Sequence, residues 1–223
     1  ESTSGLISLA SIYLALEEYQ QSISFYDKCL ELIPDYRDAL LGKAIALSWL
    51  GEHEQALVWL DRLIELGMYL MGESHYWLSW NQNELEQFDA AWENIEKTKH
   101  YIIGDARVYS LAGMIAFNRS RLEVAEENFL EALNLDPMDC GSCFYLGNVY
   151  SLKETWETSG TYYARAADCY LKMEQSWEKR IQEMEASAVS EDRKRIHIQK
   201  TKKRIAKTRE MRASAFMNAA GSF

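Results

Sequence analysis

Apolar and small residues recur along this chain at intervals of three and four, the beat of amphipathic helices, and the helical blocks themselves recur every 34 or 35 residues. The clearest block places Tyr109-Ser-Leu-Ala-Gly113 on one predicted helix and Ala125, Phe129 and Ala132 on a second, closed by Asp136-Pro137. The second-helix pattern appears again as Ser22, Tyr26 and Cys29 before Pro34, as Ala56, Leu60 and Leu63, and as Ala91, Ile95 and Thr98. A fifth block carries Leu146, Gly147 and Tyr150, then Ser159, Tyr163 and Ala166. From block to block the small residue of the second helix advances by 34, 35, 34 and 34 positions. Small side chains at these points let two helix axes approach closely, and the larger residue one turn on fills the remaining space. One such helix pair has more apolar surface than it can bury alone, so stacking on a neighbour is what makes it stable.

The pattern resembles the tetratricopeptide repeat family over roughly residues 3–171. The resemblance implies a helix, a tight turn and a second helix per repeat, with a proline ending the second helix, as at Pro34 and Pro137. The fold class expected is all-α, a right-handed superhelical solenoid of antiparallel helix pairs with C-terminal capping helices. Two departures stand out. The third repeat has His75 where a large apolar residue is usual and no glycine after Leu78, and the fifth lacks the proline, so its second helix is expected to run on.

The expected organisation is therefore residues 1–171 as five repeats and 172–223 as a helical extension. Tyr163, Ala166, Tyr170, Met173, Trp177, Ile181 and Met184 continue one apolar stripe out of the fifth repeat, and Ile198, Thr201, Ile205, Thr208 and Ala215 form a second, narrower one. The two segments are expected to pair about a turn at Ala186–Ser190, with Ser190 as N-cap, and so to cap the stack. Charge separates along the same line: residues 1–190 hold 14 Lys and Arg against 31 Asp and Glu, whereas residues 191–223 hold 10 against 3. An acidic repeat array argues against nucleic acid as its ligand. The basic last helix leaves one alternative open, an adaptor that docks on nucleic acid or an anionic membrane, beside the plainer reading of a solvated helix face.

In this family the first helices build a concave wall, and helical register selects the residues that face it. The candidate groove residues are Asp38, Glu73, Tyr76, Trp80, Asn83, Arg107, Met114, Phe117, Phe144 and Asn148. Residues such as Leu9, Ala44, Leu78, Gly113 and Gly147 are expected instead to pack on their own second helix, and Trp77, Trp92 and Trp156 to be core between repeats. Aromatic and methionine side chains interleaved with asparagine suit a peptide or a partner's helix. Family members that clamp a peptide carboxylate do so with several Lys, Arg and Asn; here only Arg107, Asn83 and Asn148 are offered, so an apolar or mixed ligand fits better.

Cysteine chemistry is the remaining local question. Cys140-Gly-Ser-Cys143 opens a predicted helix, whose N-terminus lowers a thiol pKa, and a redox-active accessory protein using this pair is a third reading. The strand that precedes such motifs in oxidoreductases is missing. A disulfide from Cys140 or Cys143 to Cys169, and three reduced thiols, are both compatible with antiparallel packing. No histidine lies near enough in sequence to complete a metal site, and His53, His75, His100 and His197 form no catalytic pattern. The expectation is a non-enzyme without cofactor or metal, an interaction scaffold for a protein or peptide. Apolar runs are too short to span a membrane. The chain begins at Glu1 and is expected to be a piece of a longer product, which leaves cytoplasm and bacterial periplasm equally open.

Overall fold

The computed structural model describes residues 2–67, 70–186 and 191–222, and they divide into two compact units, 1–120 and 121–223. The first unit contains α1 (Thr3–Ala15), α2 (Tyr19–Leu32), α3 (Arg37–Leu50), α4 (His53–Glu65), α5 (Met71–Glu84), α6 (Phe88–Tyr101) and α7 (Ala106–Asn118). The second contains α8 (Leu122–Leu135), α9 (Cys140–Leu152), α10 (Trp156–Ala186) and α11 (Glu191–Gly221). The division falls inside the fourth repeat, and the boundary expected at 171/172 lies within the unbroken α10.

Each turn between a first and a second helix is closed by the same device. One residue adopts the left-handed conformation: Glu17 (φ 58°), Gly51 (φ 80°), Glu86 (φ 59°), Ser120 (φ 56°) and Glu154 (φ 57°). In four of these five turns the amide after it reaches back five residues, from Glu18 to the Tyr13 carbonyl (2.9 Å), Glu52 to Leu47 (3.0 Å), Gln87 to Gln82 (2.8 Å) and Thr155 to Tyr150 (2.9 Å). This satisfies carbonyls that the ending helix would otherwise orphan.

Close crossings follow the small residues. Ser22, Ala56, Ala91, Ala125 and Ser159 are fully buried on the second helices. Ser22 Oγ donates to the Ala10 carbonyl (2.8 Å) and Ser159 Oγ to that of Gly147 (2.9 Å), so the two serines link the hairpins they pack. A Cβ at Gly147 would lie 2.5 Å from Tyr163 Cδ1, and one at Gly42 would lie 2.2 Å from Tyr26 Cζ. Register corrects one expectation: Leu9 is 40% exposed, and the crossing position is held by Ala10 in the first repeat and Ser79 in the third, 34 and 35 residues from Ala44. His75 keeps its place in the third repeat because it is buried with a partner, Nδ1 lying 2.8 Å from Asn94 Oδ1 while the ring stacks on Tyr101 at 6.1 Å.

In the second unit α11 lies against α10, with Thr201, Ile205, Thr208 and Ala215 buried. On α10 Tyr163, Ala166 and Tyr170 are buried, but the next position differs from the expected stripe. Met173 is exposed and Glu174 is 4% exposed in its place, because a run spaced by three and four rotates past Met173. The Glu174 carboxylate is held by Arg209 and by Arg212, whose Nη1 lies 2.7 Å from Oε2; Arg204 covers the Trp177 ring at 5.0 Å. The expected turn and N-cap at Ser190 lie outside the described residues.

Candidate partner-binding groove

In the first unit the first helices lie side by side, α1 against α3, α3 against α5 and α5 against α7. Because the repeat brings equivalent residues to equivalent angles, the same face of each carries Leu41, Tyr76 and Ser110, and one turn on Ile45, Trp80 and Met114. Leu41, Ile45, Trp80, Met114 and Phe117 are half-buried there, Asp38 and Arg107 are exposed, and Glu73 is intermediate.

Two of the expected groove residues are not surface residues. Tyr76 is 8% exposed and belongs to the core around Trp77, Leu78, Ile95 and Leu111, with its ring edge-on to Trp77 at 5.6 Å and the Arg107 guanidinium over it at 5.4 Å. Asn83 is 6% exposed and accepts from Asn118 Nδ2 at 2.9 Å. Both lie at the right register, but the next helix covers them. Arg107 is itself committed: Nη2 lies 2.6 Å from Asp105 Oδ2 and 3.5 Å from Glu73 Oε1. The hydrogen bonds to Asp105 raise its pKa further above the ordinary value and hold the Asp105 carboxyl below its own.

The residue that sequence reasoning missed is Trp49, which is 52% exposed. It packs edge-on to Trp77 (5.9 Å, 73°), tilted against Trp80 (5.9 Å) and parallel to Tyr19 (6.5 Å). The signal was available, since Trp49 lies one helical turn beyond Ile45. Trp77 is buried as expected and Trp92 half-buried, whereas Trp156 is 52% exposed, a correction that follows from its place as the first residue of α10. Beneath the face, Asn81 Nδ2 donates to Ser48 Oγ (2.8 Å) and to the Trp77 carbonyl (2.7 Å), and His53 Nδ1 lies 2.9 Å from Asn81 Oδ1.

In the second unit Phe144 is half-buried and meets Tyr163 at 5.6 Å and Tyr145 at 6.3 Å, while Asn148 Oδ1 accepts the Tyr163 hydroxyl at 2.7 Å. Cys140 and Cys169 are joined by a disulfide, and Cys143 and Cys29 are free and buried. The alternative of a redox-active Cys140/Cys143 pair finds no support here: Cys140 is bound to Cys169, and burial pushes the Cys143 thiol up to about 11, the reverse of a poised nucleophile. Among the described residues no group of three or more His, Cys, Asp or Glu is placed to hold a metal, and no helix is long and apolar enough to cross a membrane.

Comparison with known proteins places these helix pairs. Tetratricopeptide repeat profiles match residues 13–67 and 106–138. No curated protein sequence matches the chain. Among solved structures, MamA 41-end from Desulfovibrio magneticus RS-1 is 19% identical with a TM-score of 0.66, over 75% of this chain and 94% of that one. YrrB, described as a TPR protein with an unusual peptide-binding site, is 23% identical with a TM-score of 0.60, over 74% and 84%. A chain of the APC/C hetero-tetramer Cut9-Hcn1 is 16% identical with a TM-score of 0.67, over 98% of this chain and 42% of its own length. These likenesses show the fold, an all-α solenoid of antiparallel helix pairs.

Proposed function

The chain belongs to the tetratricopeptide repeat family, and on that premise we propose that it is a non-catalytic scaffold that holds a peptide or a partner's helix on the face formed by its first helices. The observation that carries this reading is the row of half-exposed apolar side chains, Leu41 and Ile45 on α3, Trp80 on α5, Met114 and Phe117 on α7, repeated at one register on adjacent helices. Such a row supplies anchor pockets spaced by helix packing, and the polar ends at Asp38, Glu73 and Arg107 set orientation. Tyr76 and Asn83 serve this face from beneath, by fixing α5 against α7. Phe144 and Asn148 give the second unit a face of its own.

Residues 172–223 act in this reading as a cap. The buried face of α11 and the pairing of Arg209 and Arg212 with Glu174 favour it over a nucleic-acid or membrane adaptor, because those basic groups are turned to α10. The test is selection of a random displayed peptide library on the full chain. Binders are expected that lose capture in Ile45→Asp and Met114→Asp proteins whose melting temperatures match the parent. Binders indifferent to both changes would refute the groove.

A further inference from the structure

The groove reading leaves open what kind of side chain the face recognises, and Trp49 answers it. Tryptophan at 52% exposure in the middle of a four-ring cluster presents a large π surface to solvent, and its neighbours Trp77, Trp80 and Tyr19 hold it in place. Elsewhere in the chain tryptophan rings carry a cation: Lys43 sits 3.7 Å over Trp59, Arg119 5.5 Å over Trp92 and Arg204 5.0 Å over Trp177. Among the described residues no lysine or arginine of the chain lies over Trp49, Trp77 or Trp80.

The charge on the same face that is left unpaired among the described residues is negative. Glu84 ends α5 one turn beyond Trp80, at the register position that Trp49 holds on α3, and Asp38 opens α3 three residues before Leu41. Both are exposed, and among the described residues neither has an ion-pair partner. Arg107, which lies on this face, is already shared between Asp105 and Glu73. A face with open carboxylates and an uncovered aromatic platform attracts a positively charged ligand and repels an acidic one.

Resting on the groove reading, we propose that the partner segment is basic, and that one of its arginine or lysine side chains stacks on Trp49 while Glu84 and Asp38 pair with its other cationic groups. The apolar side chains of that segment occupy the row at Ile45, Trp80 and Met114. A cation over tryptophan is worth several-fold to about thirtyfold in affinity, depending on how far the pair is desolvated.

The library selection on the full chain tests this directly. Recovered peptides are expected to be enriched in arginine and lysine. The tightest arginine peptide should bind about tenfold more weakly when its arginine is replaced by citrulline, the neutral isostere. Trp49→Leu should remove most of that difference, Glu84→Gln and Asp38→Asn should flatten the salt dependence, and circular-dichroism melts confirm that each variant folds. Peptides without cationic enrichment that still require Ile45 and Met114 would overturn the basic-ligand proposal and leave the groove standing. Peptides that ignore Ile45 and Met114 would overturn both.

Discussion

Gly147→Ala is the sharpest probe of how closely the last repeat is packed. The new Cβ would stand 2.5 Å from Tyr163 Cδ1, 2.6 Å from Cε1 and 2.8 Å from Cγ. Ordinary carbon contacts lie at about 3.5–4.0 Å, so roughly 1 Å must be found by moving a ring or a helix. The ring is poorly able to move. Tyr163 is 5% exposed, its hydroxyl donates to Asn148 at 2.7 Å, and Phe144 stands edge-on to it. Overpacking of this kind costs about 1–3 kcal/mol, against which alanine regains about 1 kcal/mol of helix propensity. Gly141→Ala is the matched control, because it lies on the same helix and its Cβ would meet only Asp139 Oδ1 at 3.3 Å within the groups around it. In urea denaturation followed by circular dichroism, Gly147→Ala is expected to be less stable than Gly141→Ala by about 1–3 kcal/mol. The loss should shrink when Tyr163→Leu is combined with it, as a double-mutant cycle would show. Equal stability of the two alanine variants would refute the close crossing.

Other outcomes follow from the packing described. Tyr76→Ala should cost on the order of 3–5 kcal/mol in the same assay, since the ring is core rather than groove surface, and a loss below about 1 kcal/mol would return it to the surface. Burial lowers the His75 pKa from the ordinary 6.5, so folding disfavours the charged ring. Its contribution to stability is complete above about pH 6.5 and is lost as pH falls below that value, where the unfolded chain takes up a proton first. The stability lost between pH 7.5 and 5.5 should therefore be smaller in His75→Gln than in the parent. Glu154→Gly should stabilise by about 0.5–1 kcal/mol, because glycine escapes the left-handed penalty at φ 57° at a smaller entropic cost. Deleting residues 191–223 should uncover the α10 face at Tyr170 and Trp177 and produce dye binding and self-association in sedimentation; a monomeric truncation with unchanged melting would remove the cap.

The sequence was most legible where spacing alone decides, as at Ser22, Ala56, Ala91, Ala125 and Ser159, whose common period reflects one backbone geometry repeated. Pro34 and Pro137 likewise mark ends of α2 and α8 within two residues. Reading was weaker one residue to either side. Leu9 and Met173 are apolar and adjacent to the true packing positions, yet Ala10 and Glu174 are the buried ones, since apolarity does not reveal the angle at which a helix meets its neighbour. The buried Glu174 has no apolar signature at all; its partners are 35 and 38 residues away, on α11. Candidate groove residues were legible as a face but not as exposure. Tyr76 and Trp80 are one turn apart, yet Tyr76 lies in the core with Arg107 over its ring while Trp80 is only partly buried against that core.

The Ser48–Asn81–His53 chain of hydrogen bonds bears on how a protein of look-alike parts finds its own order. Hairpins of one shape can in principle associate with any other hairpin, and apolar ridges slide with little penalty. A mispaired α5 would bury the Asn81 amide without Ser48 and His53, which costs about 1–3 kcal/mol for each group left unmet. Between α5 and α7 the junction uses another pair, Asn83 with Asn118. Neighbouring junctions thus carry different polar locks, each fitting one key, and the first unit encodes the sequence of its repeats as well as their shape.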